Sequence, residues 1–213
     1  MPHDPQGLKA ALATIGLDGC DIVQRANTIL PTYHAGGYGG VIHEMAEMAA
    51  NCWAQWELNN QPVWALEHMQ VAFDTSVSGK CANQAQYWLR KSATLFTAGA
   101  DMFPGDEDNG SMGAWYIFNA LGLYPLSPAS GQFILGSPLF GSVSIAIDGA
   151  AQPLTITALN QGPQNVYVTA ATWNGSPISG VYVKYSDLMQ GGTLQFTMSA
   201  TPAAADAERL PVF

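Results

Sequence analysis

The hydrophobic pattern of this 213-residue chain changes its period once, and that change divides what the chain can build. Up to about Leu123 apolar residues recur at helical spacing, as in Val41, Met45, Met48, Ala49, Cys52, Trp53 and Trp56, and again in Tyr87, Trp88, Ala93 and Leu95. These runs predict helices with broad apolar faces. From Met112 to Leu123 the residues are apolar nearly all round, which predicts a helix buried inside a larger helical assembly rather than lying on a surface. Beyond Tyr124-Pro125-Leu126-Ser127-Pro128 short alternating runs take over: Val143, Ile145, Ile147; Leu154, Ile156; Val166, Val168; Val181, Val183; and Leu194, Phe196, Met198. Gly, Pro, Asn and Asp turns separate them, and Trp173-Asn174-Gly175-Ser176 carries the Asn-Gly pair of a tight hairpin. The expected fold class is α+β, with helices over residues 1–125 and an antiparallel β-strand module over residues 126–213.

Charge is scarce. Only Asp148, Lys184 and Asp187 carry it between Gly122 and Pro202, so the strand module is expected to pack one sheet face on another layer and keep the other polar but neutral. The whole chain is 48% hydrophobic and 11% charged, with a net charge of −9 and seven Lys and Arg residues. Such a surface suits neither phosphate backbones nor anionic membranes, so nucleic acid and membrane are excluded as partners. Neutral polar ligands such as sugars fit better. No apolar run approaches the roughly 20 residues of a membrane span. Met1-Pro2-His3-Asp4-Pro5-Gln6-Gly7-Leu8 has no basic stretch followed by an apolar one, so no signal peptide is visible. Cys20, Cys52 and Cys81 are odd in number and widely spaced, forming neither a zinc pattern nor a self-contained disulfide framework. They are expected to be mostly core thiols.

Against that background the run Pro104-Gly105-Asp106-Glu107-Asp108-Asn109-Gly110-Ser111-Met112-Gly113-Ala114-Trp115-Tyr116 places three adjacent carboxylates between two glycines, immediately before the apolar helix. The glycines permit a tight turn and close approach to a ligand, and adjacent carboxylates repel unless a cation, a proton or a substrate intervenes. That is how a general base or a cation site is built. The residues alone leave a second reading open, in which Asp108 or Asn109 caps the helix and the charges favour its positive end. A calcium loop of the EF-hand kind fails, because the third ligand before the glycine and the twelfth-position glutamate are absent. In Gly39-Gly40-Val41-Ile42-His43-Glu44-Met45-Ala46-Glu47-Met48, Glu47 stands where a zinc protease needs its second histidine. His43 and Glu47 share one helical face with Glu44 beside them, either as a polar site or as first-turn charges. Asn59-Asn60-Gln61-Pro62-Val63 offers amides suited to sugar hydroxyls or a hard cation, or else marks a helix stop and restart.

Taken in order, these elements resemble the C-terminal part of glycoside hydrolase family 92, the calcium-dependent exo-acting α-mannosidases. The resemblance is carried by Pro2-His3-Asp4-Pro5-Gln6-Gly7-Leu8, Ile42-His43-Glu44-Met45-Ala46-Glu47-Met48-Ala49, Asn60-Gln61-Pro62 and Gly105-Asp106-Glu107-Asp108-Asn109-Gly110. It continues through Ala114-Trp115-Tyr116, Ala120-Leu121-Gly122-Leu123-Tyr124-Pro125, Ile134-Leu135-Gly136-Ser137-Pro138-Leu139-Phe140 and Gly191-Gly192-Thr193-Leu194-Gln195-Phe196, covering essentially the whole chain.

The resemblance implies the last helices of an (α/α)6 catalytic barrel followed by a β module, and inverting hydrolysis of terminal α-mannosides of glycans. It implies Asp108 as general base, Asp106 as its companion, calcium held near Asn60 and Gln61, and His43, Glu44 and Asp4 in the sugar pocket. Export is implied too, to a secreted, periplasmic or cell-surface location. The family's general acid lies upstream of Pro2-His3-Asp4, so the chain is expected to need the N-terminal part of the same enzyme and to be inactive alone. Two departures stand out: Trp64-Ala65 replaces an expected pair of histidines, and Gly113 stands where serine is usual. The alternative is a non-catalytic calcium- or carbohydrate-binding structural module.

Overall fold

The structure, a computed structural model, describes residues 3–23, 58, 61–99, 102–104 and 107–205. Pro5 pre-sets the first helical φ and the Asp4 carboxylate accepts the Gly7 N–H at 2.8 Å, so α1 runs over Pro5–Thr14. A 3₁₀ turn, Gly19–Asp21, follows, and beyond it come α2 (Leu66–Val71), α3 (Lys80–Ser92), a 3₁₀ turn over Ala93–Leu95, and α4 (Ser111–Leu121). The helical repeat from Val41 to Trp56, Cys52 included, lies outside the described residues.

Helix α3 is buried along almost its whole length although it carries Asn83 and Gln86. Both serve the backbone of the neighbouring layer: Gln86 Oε1 accepts the Val168 N–H at 2.8 Å while Gln86 Nε2 donates to the Val77 carbonyl at 2.8 Å. Asn83 Oδ1 accepts the Ala203 N–H at 2.8 Å. Buried main-chain groups without a ladder partner must find one elsewhere, and these amides supply it.

Helix α4 ends at Gly122 with φ 75°, and the chain turns there into β1 (Leu123–Tyr124). A three-stranded antiparallel sheet joins β1, β2 (Gln132–Leu135) and β7 (Tyr182–Lys184) in that order. A second sheet has the order β3–β4–β8–β5–β6, from β3 (Ser142–Ile145), β4 (Leu154–Leu159), β5 (Tyr167–Trp173), β6 (Ser176–Pro177) and β8 (Gly192–Ser199). A short helix, α5 (Tyr185–Leu188), precedes β8. The expected hairpin is present: Asn174 and Gly175 both have positive φ, 48° and 81°, and Trp173 faces Ser176 across it.

The β half is not purely antiparallel. Strand β4 pairs β8 in parallel, from Leu154 opposite Gly192 to Leu159 opposite Thr197. The intervening chain holds β5, β6, β7 and α5, long enough to bring β8 back in the same direction as β4. Their inward residues Leu154, Ile156, Leu194, Phe196 and Met198 join one core with Val71, Phe73, Leu89, Met112 and Trp115 of the helical half. The thiol expectation is also corrected: Cys20 and Cys81 are buried but bonded to each other, fastening the turn after α1 to the first turn of α3 across 61 residues of sequence. Among the described residues no helix is long and apolar enough to cross a membrane.

Candidate functional site

The acidic loop enters α4 through three consecutive left-handed residues, Asp108 (φ 57°), Asn109 (φ 56°) and Gly110 (φ 95°). Asn and Asp adopt this conformation at less cost than other side-chain-bearing residues, and Gly at none. The position before the helix is Gly110, which has no side chain to cap it. The carboxylate of Glu107 reaches across the loop instead: one oxygen accepts the Gly110 N–H and the other the Gly113 N–H at 3.2 Å. A Cβ at position 113 would stand 3.3 Å from Glu107 Oε1, so glycine leaves the carboxylate room to approach.

The capping that the second reading gave to Asp108 or Asn109 is performed by Glu107 instead. This sets Asp108 free: its carboxylate, half-buried, has no hydrogen-bond partner among the described residues. A carboxylate without a partner offers both its oxygens to a ligand. Asp106 lies outside the described residues, as do His43, Glu44 and Asn60.

Gln61 opens a 3₁₀ turn, Gln61–Val63, with its side chain exposed and its carbonyl accepting the Trp64 N–H at 3.2 Å. Two indoles tie this turn to the acidic loop's helix. Trp64 Nε1 donates to the Leu58 carbonyl at 2.6 Å, and Trp115 Nε1 of α4 donates to the Trp64 carbonyl at 3.0 Å. Trp115 also stacks on Phe96, with ring centroids 5.6 Å apart. Asp4 caps α1 and is exposed, and α1 is pinned to the residues after α2 by Gln6 Nε2 on the Ala72 carbonyl and Lys9 Nζ on the Phe73 carbonyl, each at 2.7 Å.

The described residues contain no group of three or more His, Cys, Asp or Glu side chains able to hold a metal. Gln61 offers one hard oxygen of the type calcium takes, and further ligands would have to come from Asn60 and its neighbours.

Sequence reasoning passed over Glu67 and His68. Both are fully buried on α2. Glu67 accepts a hydrogen bond from Ser92 Oγ, and burial pushes its carboxyl up to about 8, so it is mostly protonated at neutral pH. His68 stacks on Tyr124 at 4.1 Å between centroids, and burial pulls its imidazole down to about 3, keeping it neutral. The only signal was an isolated Glu-His pair in a charge-poor stretch, and nothing in its spacing said that it points inward.

Residues 2–200 match the model of the glycosyl hydrolase family 92 catalytic domain. An uncharacterized secreted glycosidase of Arthroderma benhamiae is 31% identical over 97 residues, a match spanning 45% of this chain and 12% of that protein. Among solved structures, the family GH92 inverting mannosidase of Bacteroides thetaiotaomicron aligns with TM-score 0.70 and 31% identity over 95% of this chain and 26% of its own. A family GH92 α-mannosidase of the same organism aligns with TM-score 0.64 and 28% identity over 72% of this chain and 20% of its own. The chain thus spans 12% of the curated relative it matches and 20% and 26% of these two solved chains.

Proposed function

The chain belongs to glycosyl hydrolase family 92, and from that membership we propose that it supplies the base-bearing part of an inverting α-mannosidase acting on terminal α-mannosides of glycans. The observation that carries this reading is Asp108, left unpartnered at the mouth of α4 because Glu107 does the capping. Inversion needs a carboxylic acid to protonate the departing oxygen and a carboxylate about 6.5–9.5 Å away to deprotonate the water that attacks from the other side. Asp108 is that base and Asp106 its companion in the same loop. The water loses its proton to Asp108 as its oxygen bonds to the anomeric carbon, and the glycosidic bond breaks on the opposite face.

Residues 1–125 are read as the C-terminal helices of an (α/α)6 barrel and residues 126–213 as the β module behind them, with the general acid and the remaining barrel supplied by further polypeptide of the same enzyme. His43, Glu44 and Asp4 line the sugar pocket. Asn60 and Gln61 would hold calcium, which would supply a hard cation for hydroxyls of the sugar. The Cys20–Cys81 disulfide and the secreted relative both favour export to an oxidising compartment, which includes the periplasm and the cell surface.

The test is hydrolysis of an aryl α-mannoside with calcium or with a chelator, by the 213-residue chain alone and joined to the rest of a family 92 barrel. The chain alone is expected to be inactive and the joined form active only with calcium. Full turnover by the isolated chain contradicts the division of the site, and chelator-insensitive turnover contradicts the metal. Mannoside binding without turnover in both forms favours the non-catalytic module.

A further inference from the structure

Lys and Arg are scarce in this chain, seven in all, and among the described residues one of them is buried without a carboxylate partner. Arg90 lies on α3 with 8% of its surface exposed. Its guanidinium donates to two neutral carbonyls, Nη1 to Pro138 at 2.9 Å and Nη2 to Gly162 at 3.2 Å. Among the described residues no carboxylate pairs with it. An isolated buried charge is costly, and that cost is ordinarily offset by an ion pair. Two carbonyl dipoles hold the guanidinium in place and leave three of its five N–H donors without a protein acceptor.

Arg90 also lines a hollow of about 420 Å³, together with Ala93, Thr94, Leu139, Gln161 and Pro163. The volume falls within the about 300–1,000 Å³ of small-molecule sites. Its walls are chemically mixed. Ala93, Leu139 and Pro163 are apolar, while Thr94 and Gln161 can hydrogen-bond hydroxyls. Gln161 is itself fixed, its Nε2 donating to the Leu139 carbonyl at 2.7 Å, which leaves its Oε1 as the acceptor. A planar guanidinium with N–H donors to spare suits the two oxygens of a carboxylate.

We propose that this hollow binds the carboxylate of a small organic acid, with Arg90 as its charged anchor and Thr94 and Gln161 contacting polar groups on the acid's body. The site stands apart from the acidic loop and does not depend on the function proposed above.

Thermal shift and calorimetric titration of the full chain with glucuronate as probe, and glucose as its neutral counterpart, test the site. Glucuronate is expected to bind and to raise the melting temperature, with affinity falling as salt rises, while glucose does neither. Replacing Arg90 removes a brace between α3 and two loops and can unfold the chain, so the deciding variant is Thr94→Glu. Thr94 lies four residues after Arg90, in the 3₁₀ turn that follows α3, and lines the same hollow, so a glutamate there introduces a carboxylate into it. Thr94→Glu should fold with an unchanged or higher melting temperature and lose glucuronate binding at least tenfold. Equal responses to glucose and glucuronate, no response to either, or full binding by Thr94→Glu would overturn the proposal.

Discussion

A carboxylate at the start of a helix is ordinarily drawn into capping it, because the first-turn N–H groups have no partners of their own. Here Glu107 takes two of those groups, so its neighbour Asp108 is not needed for stability. Glu107→Ala should therefore destabilise the chain by about 1 kcal/mol, while Asp108→Asn should stay within about 0.5 kcal/mol of the parent in urea unfolding. If Asp108→Asn is as costly as Glu107→Ala, Asp108 is structural. The sequence showed that three carboxylates met a helix start, but not which one would cap it. That choice follows from the left-handed run at Asp108, Asn109 and Gly110, a conformation that the residue types tolerate and do not dictate. Gly113 reads as a departure from the usual serine, and its consequence, room for Glu107, depends on how the loop folds back over α4.

Between elements, periodicity predicted what would be helix and strand better than how the pieces would meet. Alternation in Leu154–Leu159 and Gly192–Ser199 says which residues face inward, and a strand's period is the same whichever way its neighbour runs, so the parallel β4–β8 pairing left no trace. Strands β1 and β6, of two residues each, are too short to show a period at all. The Asn174-Gly175 hairpin was legible because its turn needs positive φ at both positions. The same argument applies at Gly122, where φ is 75° and a Cβ would stand 2.9 Å from Pro138 Cδ. Gly122→Ala should cost about 1–3 kcal/mol, seen as a lower urea midpoint. The Cys20–Cys81 bond was hidden because pairing depends on the turn after α1 lying against α3, which spacing does not encode. Replacing both cysteines by alanine opens a loop spanning 61 positions and should cost about 4 kcal/mol in the chain-entropy account. A loss below 1 kcal/mol would mean that the closed loop matters little.

For the molecule as a whole, Glu67 and His68 shape the response to pH. Glu67 titrates near 8 folded against 4.5 in its ordinary state, so its protonated form stabilises the fold and that contribution is lost as pH rises toward 8. His68 titrates near 3 folded against 6.5, so its contribution is lost as pH falls toward 3. Between 4.5 and 6.5 the two slopes oppose and cancel, leaving a plateau flanked by a loss of stability on each side. Glu67→Gln should flatten the alkaline limb and, by removing the slope that cancels that of His68, turn the plateau between 4.5 and 6.5 into a rise with pH, seen in melting temperatures taken across pH. The family was legible at this scale because its motifs span the chain from Pro2 to Phe196. The completed site was not, since the chain spans 26% of the inverting mannosidase it aligns with and several expected pocket residues lie outside the described ones.

The central claim is that Asp108 deprotonates the attacking water. In the form that hydrolyses an aryl α-mannoside, Asp108→Ala should abolish turnover while leaving mannose binding intact, and added azide should restore release of the aryl group with β-mannosyl azide as product. Undiminished hydrolysis by Asp108→Ala, or an α-configured azide, would contradict it.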